Sequence, residues 1–389
     1  MDLLKDSVKK LYFRYLFPSM GSAVVASVYL MTDAVVIGKG IGDNALAALN
    51  MTTPIISFML SIGILFGIGG SVLFSVHKGT GNDEKANKCF TTALIGVLTG
   101  AVIICLLCNI FDRQILALMG AKDELFDLAY DYVRFYYYFS IPSVLVNFCS
   151  AFVRSDKDPN RAMVAVTAGG IVNVVFDIVL VYPAQMGMAG AALATALSPV
   201  VGCAICCIHF FSKKNNISFK PCVPSFVKLF NCAKLGVSAF VGEFSSGVIT
   251  VAFNMIILKL VGNIGVAAYG VVANISLVAV SVFNGVAQGS QPLISKYYAK
   301  SENENVSKIL KLGIITCLCL AGIIIVTVNI FAAPIANVFN SEHIAALTDY
   351  AVKGLRIYFI GFIFAGLNIF LSLAFSSMSK AAPAFIISI

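Results

Sequence analysis

Charge is what this 389-residue chain has least of: Asp, Glu, Lys and Arg together make up 12% of it, against about 25% in an ordinary soluble domain. Hydrophobic residues fill 59% of the positions and the mean hydropathy is +0.91, more oil than a soluble core of this length needs. Histidine is nearly absent. The three that occur, His77, His209 and His343, are scattered, and with no nucleophile–base set or phosphate-cradling glycine loop the sequence offers no support for enzyme chemistry. The eleven cysteines lie largely within apolar stretches. Cys105/Cys108 and Cys203/Cys206 have a CxxC spacing but no second pair at zinc distance, so they read as packing residues and no metal site is expected. A cleavable leader is also missing. Met1 to Arg14 carries Lys5, Lys9, Lys10 and Arg14 but runs into an apolar stretch too long for a signal sequence.

What is present is a series of long uncharged runs. Pro54–Val76, Cys89–Phe111, Leu312–Asn340 and Ile357–Ser379 contain no acid or base, and each exceeds the roughly 20 residues that cross a bilayer core as a helix. Apolar runs between polar punctuation predict ten complete spans, near 11–38, 45–76, 88–111, 125–153, 160–182, 188–212, 226–260, 265–296, 309–333 and 345–379. An eleventh begins near Ala381 and has about nine residues before Ile389, too few to cross.

The net charge of +8 does not point to nucleic acid, because the basic residues sit in short loops between spans. They alternate by side. One side collects Lys5, Lys9, Lys10, Arg14, Lys78, Lys85, Lys88, Arg154, Lys157, Arg161, Lys213, Lys214, Lys220, Lys228, Lys296, Lys300, Lys308, Lys311 and Lys380. The other has only Lys39, Arg113, Lys122 and Lys259. The positive-inside rule predicts a cytoplasmic N-terminus in a multi-pass protein of the cell membrane.

Sliding the chain by 220 residues aligns Ile37, Lys39, Gly42, Ala47, Ala48, Ser61, Gly69, Ser75 and Glu84 with Ile257, Lys259, Gly262, Ala267, Ala268, Ser281, Gly289, Ser295 and Glu304, without a gap. The shift covers six spans, so the copies share one membrane orientation and form parallel six-helix repeats. The expected fold class is therefore an all-α integral membrane protein. Its expected organisation is an N-lobe bundle over 1–211, an interlobe linker over 212–227, and a C-lobe over 228–389 with four complete helices and the start of a fifth. Two six-helix lobes need twelve helices, so the sequence reads as ending before the fold is complete.

Three acids lie well inside spans: Asp33 in the first, Asp177 in the fifth and Glu243 in the seventh. An ionised carboxylate there costs at least about 2.5 kcal/mol, so each must face protein, water or a cation. Tyr29 and Asp33 share one helix face at four-residue spacing, as do Asn173 and Asp177. Such a face suits a proton, Na+ or an ammonium group; protonation and cation binding compete for the same oxygens. Asn147, Thr195, Asn254 and Asn274 serve helix packing as readily as a ligand, and Pro18, Pro142, Pro199 and Pro292 are candidate kinks. The run Tyr136–Tyr138 reads first as packing or an interfacial belt.

At this point the sequence resembles the multidrug and toxic compound extrusion (MATE) family. Tyr29-Leu-Met-Thr-Asp33-Ala-Val-Val-Ile-Gly38 is similar to its first helix, and Val286-Ala-Gln288-Gly289-Ser-Gln291-Pro292-Leu-Ile-Ser295 to its eighth-helix signature. Arg154–Met163 is similar to the loop after the fourth helix, with a common glycine replaced around Lys157, and Ser238 stands where a proline is frequent. The resemblance implies two lobes about a cleft, alternating access, H+ or Na+ as coupling ion and no other cofactor. It implies an N-lobe site of Asp33, Asn173, Asp177, Asn147 and Thr195, with Glu243 on the C-lobe side. The expected activity is export of small cationic or amphipathic organic compounds by a monomer in the lipid bilayer, with no nucleic-acid partner. The alternatives are a lipid-linked saccharide flippase of similar plan, for which basic cavity residues would be needed, and a channel or receptor without a transport cycle.

Overall fold

The computed structural model describes residues 7–119, 123–221, 225–339 and 344–388; Lys5, Lys122 and His343 lie outside them. Every regular element among the described residues is a helix. The first half comprises α1 (Val8–Gly40), α2 (Asp43–Gly79), α3 (Asp83–Ile110), the short α4 (Asp112–Leu118), α5 (Asp123–Tyr138), α6 (Ser140–Ser155), α7 (Pro159–Val181) and α8 (Gly187–Cys207). The second comprises α9 (Phe226–Val261), α10 (Asn263–Ala299), α11 (Asn303–Phe339), α12 (Ala345–Tyr358), α13 (Phe362–Ser377) and α14 (Ala381–Ser388). Among the described residues nine stretches are long and apolar enough to cross a membrane, and the α5–α6 pair, taken as one span, makes a tenth, in line with the ten predicted spans. At 33 residues, α1 is about 50 Å long and extends beyond a hydrocarbon core of about 30 Å.

The fourth span is broken close to Pro142, one of the candidate kinks. The α5 and α6 axes differ by 58°, and Pro142 sits in the first turn of α6, where its missing N–H and fixed φ suit a helix start but not an interior. Phe362 occupies the equivalent position of the tenth span, which is interrupted only by a 3-10 turn over Phe359–Gly361 between α12 and α13. A proline in one copy and a phenylalanine in the other account for the sharper break in the first.

The shift of 220 residues reappears in the backbone. It carries α2 onto α10 with both ends matching, and α1, α3, α5 and α6 onto α9, α11, α12 and α13 to within a few residues or along shared starts. Gly42 and Gly262, equivalent positions, precede α2 and α10 with φ of 127° and 78°, a region closed to most side chains. Gly81 and Ser301 are also equivalent, at 75° and 59°. Lys157, where the family's glycine is replaced, has φ 70°, so the turn keeps a left-handed residue at a strain of about 1 kcal/mol.

The halves meet along a seam at the end of the molecule that carries the basic loops. Among the described residues, the main core cluster common to both takes its buried first-half members from Leu11, Tyr12, Tyr15, Leu16, Ile68 and Val72, all toward that basic end, and Cys232 of the second half joins a first-half cluster with Phe74 and Phe90. At the opposite end, among the described residues, the halves keep separate clusters, around Ile37, Met59 and Tyr132 in one and around Ala268 and Ala336 in the other. Small residues bring the backbones together. A Cβ on Gly69 would strike the Cys232 carbonyl, one on Gly236 the Leu65 carbonyl, and one on Gly285 would lie 2.6 Å from the Met20 Cα.

Two contacts across the seam join equivalent positions. Gln291 Nε2 donates to Ser71 Oγ at 3.1 Å, and a Cβ on Gly79 would sit 2.9 Å from the Ala299 Cβ; each pair is separated by 220 residues. Equivalent atoms meet only near the axis relating two copies, so the pseudo-two-fold axis runs between the C-terminal turns of α2 and α10. The pair Gly79→Cys with Ala299→Cys should therefore form a disulfide on mild oxidation, since the two Cβ positions need only a small outward shift to reach disulfide geometry. Two thiols that stay free and alkylatable under oxidation would contradict this register.

Candidate functional site

The first-half acids come together away from the basic end. Asp33 on α1 and Asp177 on α7 are 3% and 0% exposed, with Asn173 at 0% and Thr195 at 4%. Tyr132 on α5 donates its hydroxyl to Asp33 Oδ2 at 3.2 Å. Asn173 Nδ2 donates to Thr195 Oγ1 at 3.2 Å, and that hydroxyl donates to the Ala191 carbonyl at 3.0 Å. Asp33 Oδ1, both Asp177 oxygens and Asn173 Oδ1 are buried without a hydrogen-bond partner. Four acceptor atoms thus sit in a low-dielectric space with no donor assigned to them. No Lys or Arg pairs with either acid among the described residues. Buried acceptors of this kind hold a proton or a cation. The arrangement is oxygen-rich and has no His or Cys, and the described residues hold no group of three His, Cys, Asp or Glu suited to a metal ion.

Of the residues predicted for this site, Asp33, Asn173, Asp177 and Thr195 are gathered, and Tyr29 packs its ring on α7 at Gly170, where a Cβ would be 2.9 Å from Tyr29 Cδ1. Asn147 is not with them. It lines a small cavity with Ile64, Ile68, Ala151, Arg154, Gln288 and Gln291, so it joins the eighth-helix signature instead. Within that signature Gly289 lets α10 approach α1, its Cβ position lying 3.0 Å from the Tyr15 carbonyl, and Pro292 is buried inside α10. Glu243 is half-buried on α9 and has no hydrogen-bond or ion-pair partner among the described residues. Its helix neighbours Phe240 and Phe244 both pack on Phe58.

Tyr132 is the site residue that sequence reading missed. The signal was available: Ala129, Tyr132, Val133, Tyr136 and Tyr137 recur at three- and four-residue spacing and are all buried, whereas Tyr138 is 72% exposed. Reading Tyr136–Tyr138 as one run hid the stripe.

Two residues taken for loop or scattered groups are also buried. His209 has Nε2 2.9 Å from Asp156 Oδ2 and Nδ1 3.5 Å from Asp158 Oδ2. Asp156 further accepts from Asn216 N at 2.7 Å and Asn216 Nδ2 at 3.1 Å, which fastens the segment after α8 to the first half. Burial works against ionising Asp158, yet Lys214 and Arg161 hold its carboxyl below the usual range. Arg154, counted above with the loop bases, is 7% exposed and belongs to α6.

A double-mutant cycle of Tyr132→Phe and Asp33→Asn, read by thermal unfolding in detergent, should give a coupling energy of about 1 kcal/mol. Additive effects would show that the two side chains do not interact.

Comparison with known proteins follows the same lines. The chain is 26% identical over 374 residues to the multidrug export protein MepA of Staphylococcus saprophyticus, an alignment covering 93% of this chain and 82% of that one. It is 24% identical over 373 residues to MepA of Staphylococcus aureus, with the same two shares. A solved outward-facing conformation of a multidrug resistance MATE family transporter of the MOP superfamily superposes with a TM-score of 0.92 at 23% identity, over 99% of this chain and 86% of that one. A MOP superfamily transporter from Pyrococcus furiosus, described as having a binding pocket of reverse polarity, is similar at 23% identity. At such identities the structures establish the fold. The MatE family model matches residues 18–179 and 239–389, and on that match the chain belongs to the MatE family, the multidrug and toxic compound extrusion transporters, and is not an enzyme.

Proposed function

We propose that this chain exports small cationic or amphipathic organic compounds in exchange for H+ or Na+, with Asp33 and Asp177 as the shared site of coupling ion and substrate charge. The observation that carries the reading is the cluster of unpartnered acceptors, Asp33 Oδ1, Asp177 Oδ1 and Oδ2 and Asn173 Oδ1, buried with no basic neighbour paired to them. Proton, Na+ and organic cation each satisfy these oxygens, and they exclude one another because the negative charge is common to all three. Exclusion of one cation by another at a single site is the minimum an antiporter needs. The MepA relatives, named as multidrug export proteins, support the same substrate class.

The parallel repeat supports alternating access by two lobes, 1–211 and 228–389, rocking about the α2–α10 axis while the segment 212–227 links them. Under the positive-inside rule the basic end is cytoplasmic, and the packed seam then closes the cytoplasmic side. Glu243 stands on the second lobe and Tyr29 and Thr195 line the first. A saccharide-pyrophosphate flippase is disfavoured by an acidic, not basic, first-lobe site.

In proteoliposomes, Asp33→Asn and Asp177→Asn should each lower ion-driven cation efflux by about 5- to 150-fold, the range of a coupling of about 1–3 kcal/mol, while the protein still folds. Normal ion dependence in both variants would move the site to Glu243. Orientation is checked separately by single cysteines at Asn82 and Asn216. Both should react with an impermeant maleimide only from the cytoplasmic side, and labelling of Asn82→Cys from outside would reverse the topology.

A further inference from the structure

The α2–α6–α10 junction holds a charge that no role above uses. Arg154 is 7% exposed. Its Nη1 donates to Gln288 Oε1 at 2.5 Å and its Nη2 to Ser150 Oγ at 3.4 Å, and Nε is buried without a partner. Both acceptors are neutral. No carboxylate lies within ion-pair distance of Arg154 among the described residues, and the acids nearest in sequence are engaged elsewhere, Asp156 with His209 and Asn216, Asp158 with Arg161 and Lys214. A buried guanidinium costs several kcal/mol unless its charge is compensated.

Beside it is a cavity of about 30 Å³ lined by Ile64, Ile68, Asn147, Ala151, Arg154, Gln288 and Gln291. That volume suits one water-sized particle. The polar side chains around it can all present N–H groups: Asn147 makes no side-chain hydrogen bond elsewhere among the described residues, Gln288 accepts through oxygen and so keeps its amide nitrogen free, and Gln291 uses one N–H on Ser71. A water would satisfy a donor but leave the positive charge unmatched. The lining draws on α2 and α6 from the first half and α10 from the second, so an occupant touches both sides of the seam.

We propose that this cavity is a binding site for one small monovalent anion of the chloride class, which supplies the counter-charge for Arg154 and holds the halves packed at the basic end. The site is distinct from the Asp33–Asp177 cluster and its test needs no transport, so it stands or fails independently of the coupling reading. Purified protein is compared in sodium chloride, sodium bromide and sodium gluconate at equal ionic strength. Chloride and bromide should raise the unfolding temperature in a saturable way relative to gluconate, and crystals grown in bromide should show an anomalous peak within hydrogen-bond reach of Arg154 Nε. Arg154→Gln should lose the halide response. Should that variant not fold, Asn147→Leu, which keeps the arginine but removes a lining amide, should shift half-saturation to higher halide. Equal unfolding temperatures in chloride and gluconate, bromide peaks on the surface only, or a halide response that survives Arg154→Gln would each overturn the proposal.

Discussion

A hydrocarbon core offers no solvent for charge, and the rest of this structure follows from how the chain meets that constraint. Charged side chains are swept into the loops, leaving helices whose exposed faces are apolar, such as Ile103, Leu106, Ile323 and Ile330. The few ionisable groups that remain inside are therefore informative. Asp33 and Asp177 are held together by the packing of α1, α5, α7 and α8, with three of their four carboxyl oxygens buried and unpartnered. Arg154 poses the same problem with opposite sign at the seam.

Packing between the halves obeys a second consequence of the bilayer. Lipid is as apolar as the helices, so association depends on close approach and hydrogen bonds, not on a hydrophobic drive. Gly69, Gly236, Gly285 and Gly289 provide the approach; Ser27 with Ser281, Gln291 with Ser71 and Tyr12 with Thr316 provide the polar contacts. Ser75 and Ser295, equivalent positions one turn on from the Ser71–Gln291 contact, are both buried with unpartnered hydroxyls. A seam of small side chains with few committed bonds is cheap to part, which suits the alternating access proposed above.

The span count, the repeat and the buried acids were legible because each leaves a one-dimensional signal: a run without charge, a fixed offset, an acid in oil. Pairings between distant segments were not. Tyr132 reaches Asp33 across 99 residues, and nothing local to either announces it beyond the buried stripe on α5. Asn147 was placed with the acids by the family resemblance, whereas the turn of α6 that carries it lines a cavity with Gln288 and Gln291. Arg154 looked like a loop base because α6 ends one residue later; only the crossing of α10 shows that its side chain runs inward. Gly79 and Ala299 were aligned by the shift, but that they touch follows from the axis, which sequence does not locate.

Competition at Asp33 and Asp177 is the central claim, and proton release on ligand binding tests it most directly. An organic cation such as tetraphenylphosphonium is titrated into the purified chain in detergent, without Na+, in buffers of differing ionisation enthalpy and across a range of pH. Competition predicts net release of protons on binding and a Kd that weakens as pH falls. Binding with no proton exchange and a Kd indifferent to both pH and added Na+ would contradict it.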